Sequence, residues 1–193
     1  MKRTDKIRLF RMTHQMIESD LNSVERKFNI DLGRELQLET GKDEEYYPQF
    51  TEAVRHEAAE MADHYEVFYC LEQSIRDLVR DKLAAEVGTN WWDTAVPEQV
   101  KTNVEANITR ERDSGVTLRS TEKIDYTTFG ELGEVVRSNW NVFGDTFNSQ
   151  KAFSKVMSNL NVLRGPIAHC CPLAEDEVVR LRLTVRDWFR LME

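Results

Sequence analysis

The chain has 193 residues, 40% hydrophobic and 31% charged, the balance expected of one domain with a real core. Four prolines and eight glycines are too few for a disordered chain or for an all-β fold rich in turns. The net charge of −8 excludes a broadly basic nucleic-acid binder but leaves room for a local basic cleft.

Taken in chain order, the first predicted element is an amphipathic helix from about Thr4 to Phe28. Phe10, Ile17, Leu21, Val24 and Phe28 form one stripe on it, and Leu32 and Leu36 extend the pattern. The acidic segment 39–45 reads as a loop ending near Pro48. These residues make up a predicted N-terminal helical extension and acidic loop, 1–45, ahead of a helical domain, 46–193. A long helix is predicted from about Phe50 to Glu86, with Gly88 as its stop signal.

Trp91 and Trp92 anchor a short irregular segment, and Pro97 opens a polar surface helix that runs to about Asp113. A loop is predicted from Thr117 to Asp125. Thr128 and Glu131 have the spacing of a capping box. The helix they open is predicted to carry Leu132, Val135, Val136, Trp140 and Phe143. Ser149 caps the next helix, which holds Phe153, Val156, Met157, Leu160 and Leu163. Pro166 is predicted to break or sharply bend that helix, with Gly165 pushed out of the α region. A last helix is predicted from about Ala174 to Leu191, with Val178, Leu181, Val185, Trp188 and Phe189 inward. The fold class is therefore all-α.

The sequence starts without the apolar core of a signal peptide, and no apolar run nears the ~18–20 residues needed to cross a bilayer. The cysteines, Cys70, Cys170 and Cys171, are odd in number and fit no zinc-ribbon spacing. These features predict a cytoplasmic chain with reduced thiols, no membrane segment, no metal site and no cofactor. The adjacent pair Cys170–Cys171 reads as small semi-buried fillers rather than as reactive thiols.

Arg164 and His169 flank the predicted helix break. An arginine there is a fixed cation that can grip phosphate with two hydrogen bonds. A histidine there can give or take a proton near neutral pH. Together they are a minimal kit for cleaving an RNA phosphodiester without metal, and equally a kit for merely holding an anion. Glu72 and Arg76 lie one turn apart on the long helix, either as an ordinary solvated pair or as support for this site. Arg182, Arg186 and Arg190 share a face of the last helix, either as an RNA-attracting face or as a solvated one. The four tryptophans read as core anchors or as base-stacking platforms. His14, His56 and His64 read as surface residues.

The run from Asn161 to His169, Asn-Val-Leu-Arg-Gly-Pro-Ile-Ala-His, resembles the Arg-x4-6-His signature of the HEPN superfamily. The helix around Tyr69–Leu78, the Trp91–Trp92 pair with Pro97, the stretch Asp125–Gly133 and Asn139–Trp140 resemble the branch found in Swt-type RNA-surveillance endoribonucleases. This resemblance implies a HEPN-like helical bundle that forms a homodimer, with two Arg-His motifs facing across one cleft. It implies a metal-independent endoribonuclease of the toxin or antiphage-defence kind, with RNA as substrate and a regulatory or antitoxin partner. Arg164 would bind the scissile phosphate and His169 would act as general acid or base. Glu72, Arg76 and Asn161 would support them, and Arg182 and Arg186 would attract RNA. The chain departs from the family pattern at Gly165, where active members commonly carry a polar residue. That departure keeps a second possibility open: a non-catalytic dimerisation or RNA-binding module.

Overall fold

Every regular element among the described residues is helical. The computed structural model describes Ile17, Leu21, Val24, Glu25, Lys27, Phe28, Ile30 and residues 49–193. Ile17, Leu21, Val24 and Phe28 are helical, and Ile17 and Phe28 are more than half exposed. Phe10, His14, Leu32, Leu36 and the segment 39–45 lie outside the described residues.

From residue 49 onward the helices are α1 (Glu52–Val87), α2 (Trp91–Ala95), α3 (Glu98–Asp113), α4 (Phe129–Ser138), α5 (Trp140–Phe143), α6 (Gln150–Ala168) and α7 (Glu175–Arg190). The chain divides into two compact units. One joins the residues before Tyr69 to Pro166–Leu173; the other comprises Tyr69–Gly165 and Ala174–Glu193.

The second unit holds most of the core. Leu71, Ile75, Val79 and Leu83 recur every four residues along α1 and are fully buried. Gly88 stops α1 in the left-handed region, at φ +99°, where a side chain would be strained. Phe143, Phe147, Phe153, Trp140 and Trp188 form a cluster, with Phe147 and Phe153 centroids 4.8 Å apart. Ring pairs in such a cluster add to the burial of the rings themselves. Trp91 and Trp188 are thus buried anchors, which removes them as base-stacking platforms.

The Thr128–Glu131 capping box forms as predicted. The Thr128 N–H donates to Glu131 Oε2 at 2.7 Å, and the Glu131 N–H donates to Thr128 Oγ1 at 3.3 Å. Ser149 Oγ accepts from the Ala152 N–H at the start of α6.

Two predictions need correction here. The helix opened by Thr128 is not continuous: it stops at Ser138 and restarts at Trp140. The cause is Asn139, whose amide donates to the carbonyls of Val135 and Ala95, each at 2.8 Å. A side chain that takes a helix carbonyl competes with the backbone ladder. The stretch Thr117–Asp125 is also more than a loop. A 3₁₀ turn at Lys123–Tyr126 buries Ile124 and Tyr126, and the Tyr126 hydroxyl donates to the Ser120 carbonyl at 2.9 Å.

Candidate functional site

The site is built on a buried carboxylate. Glu72 sits on α1 beside the fully buried Leu71 and Ile75 and is itself only 9% exposed. Its two oxygens have different partners. Oε1 accepts from Nη2 of Arg76, one turn on, and Oε2 accepts from Nε of Arg164 on α6 at 3.0 Å. Arg76, also 9% exposed, donates from Nη2 to the Thr127 carbonyl at 3.1 Å. Its Nε is buried with no partner among the described residues. A buried ion pair is tolerated only when its charges are paired and hydrogen-bonded, which is what this arrangement supplies. The reading of Glu72 and Arg76 as a solvated surface pair is therefore wrong.

Two guanidiniums on one carboxylate leave a surplus positive charge. Arg76 is enclosed, so the surplus is presented by Arg164, whose side chain is 38% exposed. Only the Nε of Arg164 is engaged; neither Nη has a partner among the described residues. A guanidinium pinned by its Nε and open at its two Nη groups is shaped to grip a phosphate.

Asn161 is exposed one turn before Arg164 and approaches the first turn of α4. A Cβ added to Gly130 would lie 3.8 Å from its Nδ2. Sequence reading missed both Thr127 and Gly130. Thr127 acts through its carbonyl, which every residue has, so no side-chain pattern could have marked it.

His169 follows α6 in an exposed turn, and the expected break between it and Arg164 does not occur. Pro166 neither breaks nor ends the helix; α6 continues through Gly165 and Pro166 to Ala168. A residue before proline is normally barred from the α region by its own N–H and Cβ against the proline ring. Gly165 has no Cβ, which relieves half of that clash, and beyond its chain neighbours an added Cβ would meet nothing within 4 Å.

What ends α6 is a Schellman turn. The Cys171 N–H donates to the Pro166 carbonyl at 2.9 Å and the Cys170 N–H to the Ile167 carbonyl at 3.4 Å. His169 is thereby the C-cap, and Cys170 occupies the left-handed position, at φ +55°, that usually belongs to glycine. Cys170 and Cys171 are exposed, not semi-buried fillers, because the turn carries them to the surface.

Arg182 and Arg186 are both exposed on α7, as is Arg190, which pairs with Asp187 at 3.2 Å. His56 pairs with Glu60 at 3.7 Å, and both side chains are largely exposed. Among the described residues, no group of three or more His, Cys, Asp or Glu side chains is placed to hold a metal ion. Among them too, no helix is long and apolar enough to cross a membrane.

Comparison with known families matches residues 66–193 to the model of the Swt1-like HEPN family. The chain belongs to the Swt1-like HEPN family. The match takes in Glu72, Arg76, Asn161, Arg164 and His169, and the helical architecture agrees with a HEPN bundle. HEPN domains are generally nucleases and commonly dimerise, so membership supports an RNase-type or RNA-related function. The chain matches no curated protein and no solved structure.

Proposed function

We propose that this HEPN protein is a metal-independent endoribonuclease working at a homodimer cleft. The observation that carries the reading is the pinned Arg164, held at Nε by buried Glu72 with both Nη groups open. In this mechanism Arg164 binds the non-bridging oxygens of the scissile phosphate and offsets the charge that grows on them. The 2′-OH loses its proton to a general base and forms a bond to phosphorus. The bond from phosphorus to the 5′-oxygen breaks, and that oxygen is protonated. The products are a 2′,3′-cyclic phosphate and a free 5′-OH. His169 performs one of the two proton transfers, and the motif of the second copy performs the other.

A second copy is supported by exposed aliphatic side chains on α6 and on α7. Val162 on α6, 71% exposed, and Val179 and Leu183 on α7 stand open to solvent. Such an enzyme would act as a toxin or antiphage-defence effector. An unrestrained ribonuclease harms its own cell, which is the reason to expect a regulatory or antitoxin partner.

The test is incubation of the purified protein with RNA in EDTA. Cleavage that leaves cyclic phosphate ends, and that falls about 10²–10⁴-fold in Arg164→Ala and His169→Ala, is expected. Absence of cleavage by the wild type, or undiminished cleavage by His169→Ala, would overturn the proposal. Gly165 favours a second reading, a non-catalytic dimerisation or RNA-binding module, because it contributes no side chain where active relatives commonly carry a polar one. RNA binding without cleavage in the same assay would select that reading.

A further inference from the structure

The end of α6 sets three reactive side chains in succession, His169, Cys170 and Cys171, all exposed. Free cysteine is among the residue types most often fully buried, and the left-handed position that Cys170 occupies, at φ +55°, favours glycine. Neither packing nor backbone preference therefore accounts for cysteine at these two positions. Neither thiol takes part in the phosphate chemistry proposed for Arg164 and His169.

The two thiols differ in what they touch. Cys171 Sγ donates a weak hydrogen bond to the His169 carbonyl at 3.6 Å. Cys170 Sγ has no partner among the described residues, so it is the freer of the two to react. A solvent-accessible thiol beside a second one is the arrangement of a redox-sensitive pair, in which the first sulfur is oxidised and the second resolves it. Cys70, half-buried on α1, is the third thiol and serves as an internal control.

The peptide bond between the two cysteines also holds the turn at His169. Its N–H, that of Cys171, donates to the Pro166 carbonyl at 2.9 Å and forms the outer bond of the Schellman turn. Inside it, the His169 N–H reaches the Pro166 carbonyl at 3.2 Å and the Cys170 N–H the Ile167 carbonyl at 3.4 Å. Consecutive Cα atoms are ~3.8 Å apart across a trans peptide and ~2.9 Å across a cis one, whereas disulfides usually span about 4.4–6.8 Å. A disulfide between these neighbours is thus strained and twists the peptide inside its ring, which carries the Cys171 N–H away from Pro166. Strain of that kind makes the bond more reducible, which suits a reversible modification rather than a permanent staple.

We infer that Cys170 and Cys171 are a peroxide-sensitive thiol pair whose disulfide opens the turn at His169. The Cys170 sulfur attacks one oxygen of hydrogen peroxide. The O–O bond breaks, water leaves, and Cys170 becomes a sulfenic acid. The Cys171 sulfur then displaces the sulfenic hydroxyl, which leaves as a second water with the Cys171 thiol proton. The two thiols give up two electrons and the peroxide takes them. The pair stands on the geometry of the turn, and its effect on catalysis rests on the reading of His169 as a proton-transfer group.

The experiment treats the full-length protein with hydrogen peroxide, blocks the remaining thiols with iodoacetamide and maps tryptic peptides without reduction. The tryptic peptide 165–180 contains Cys170 and Cys171 but neither Cys70 nor any methionine, so its mass reports this pair alone. We expect it to lose two hydrogens and escape alkylation in the wild type and in Cys70→Ser, and to return to the dithiol with dithiothreitol. Cys170→Ser and Cys171→Ser should show no such loss. Amide exchange followed by NMR should find the Cys171 N–H exchanging at least ~10-fold faster after oxidation. A peptide that is instead doubly alkylated, irreversibly oxygenated, or cross-linked to Cys70 or to a second copy overturns the pair. A disulfide that leaves the Cys171 exchange unchanged overturns the opened turn. RNA cleavage is read separately. A protein that forms the disulfide, opens the turn and cuts nothing sinks the nuclease proposal alone, whereas one that cuts RNA and forms no disulfide sinks this one alone. In a protein that cuts, oxidation should lower cleavage at least ~10-fold, reversibly in the wild type and not in Cys171→Ser. Cleavage unchanged by the bond overturns the control of His169.

Discussion

Glu72 accepts a hydrogen bond from Arg164 at 3.0 Å across 92 positions of sequence, while its other oxygen holds Arg76. One carboxylate thus connects α1 and α6 and neutralises one of the two guanidiniums it touches. The two partners play different parts. Arg76 is enclosed and completes the structure, whereas Arg164 is half-open and faces the solvent.

Removing that carboxylate should therefore do two separable things. Glu72→Ala leaves Arg76 as a buried charge with only the Thr127 carbonyl, and should lower stability by about 3–5 kcal/mol in chemical denaturation. Glu72→Gln keeps the shape and one acceptor, so it should lose less stability. It should still weaken RNA binding through Arg164, because the guanidinium is no longer held by charge. If Glu72→Gln proved as unstable as Glu72→Ala, the site would be organised by charge alone and not by its hydrogen bonds.

The end of α6 carries two local costs. Pro166 supplies no N–H to the Val162 carbonyl, and Cys170 sits where glycine is favoured. Pro166→Ala should raise stability by roughly 1–3 kcal/mol, and Cys170→Gly by up to about 1 kcal/mol. Both gains are read as shifts in the denaturation midpoint at constant m-value. A loss of stability in Cys170→Gly would mean that the cysteine side chain contributes packing that outweighs its backbone strain.

Asn139 joins α2 to the α4–α5 junction with two side-chain hydrogen bonds to the carbonyls of Ala95 and Val135. Asn139→Ala should cost about 1–3 kcal/mol, because the Ala95 acceptor loses its partner in a half-buried position. Asn139→Asp should be at least as harmful, since a carboxylate cannot donate to either carbonyl. Thermal melts of the two variants check this ordering.

Lys82 Nζ bonds both carboxylate oxygens of Asp145, at 2.8 and 2.9 Å, and this hydrogen bond holds the Asp145 carboxyl below its usual range. A carboxylate lowered in the folded state stabilises the fold above the unfolded-state value, ~3.9, and that contribution disappears as pH falls through the folded value. Asp145 is largely exposed, so the tie is worth no more than about 1 kcal/mol. Asp145→Asn should be slightly less stable than the wild type at pH 7 and indistinguishable from it in strong acid. A difference that persists in acid would point to packing rather than to the ion pair.

The helical class, most element boundaries and the motif can be read from the order of residues alone. Leu71, Ile75, Val79 and Leu83 repeat at helical spacing whatever they pack against, and Thr128 and Glu131 announce a cap through a three-residue spacing. These signals are local, so one dimension carries them. Arg164 and His169 were legible through family resemblance rather than through spacing, which many chains share. That Glu72 holds Arg164 depends on the packing of α1 against α6, because nothing local links positions 92 apart. Whether Pro166 stays helical is likewise settled in three dimensions, since the Cβ that Gly165 lacks matters only once the turn is built.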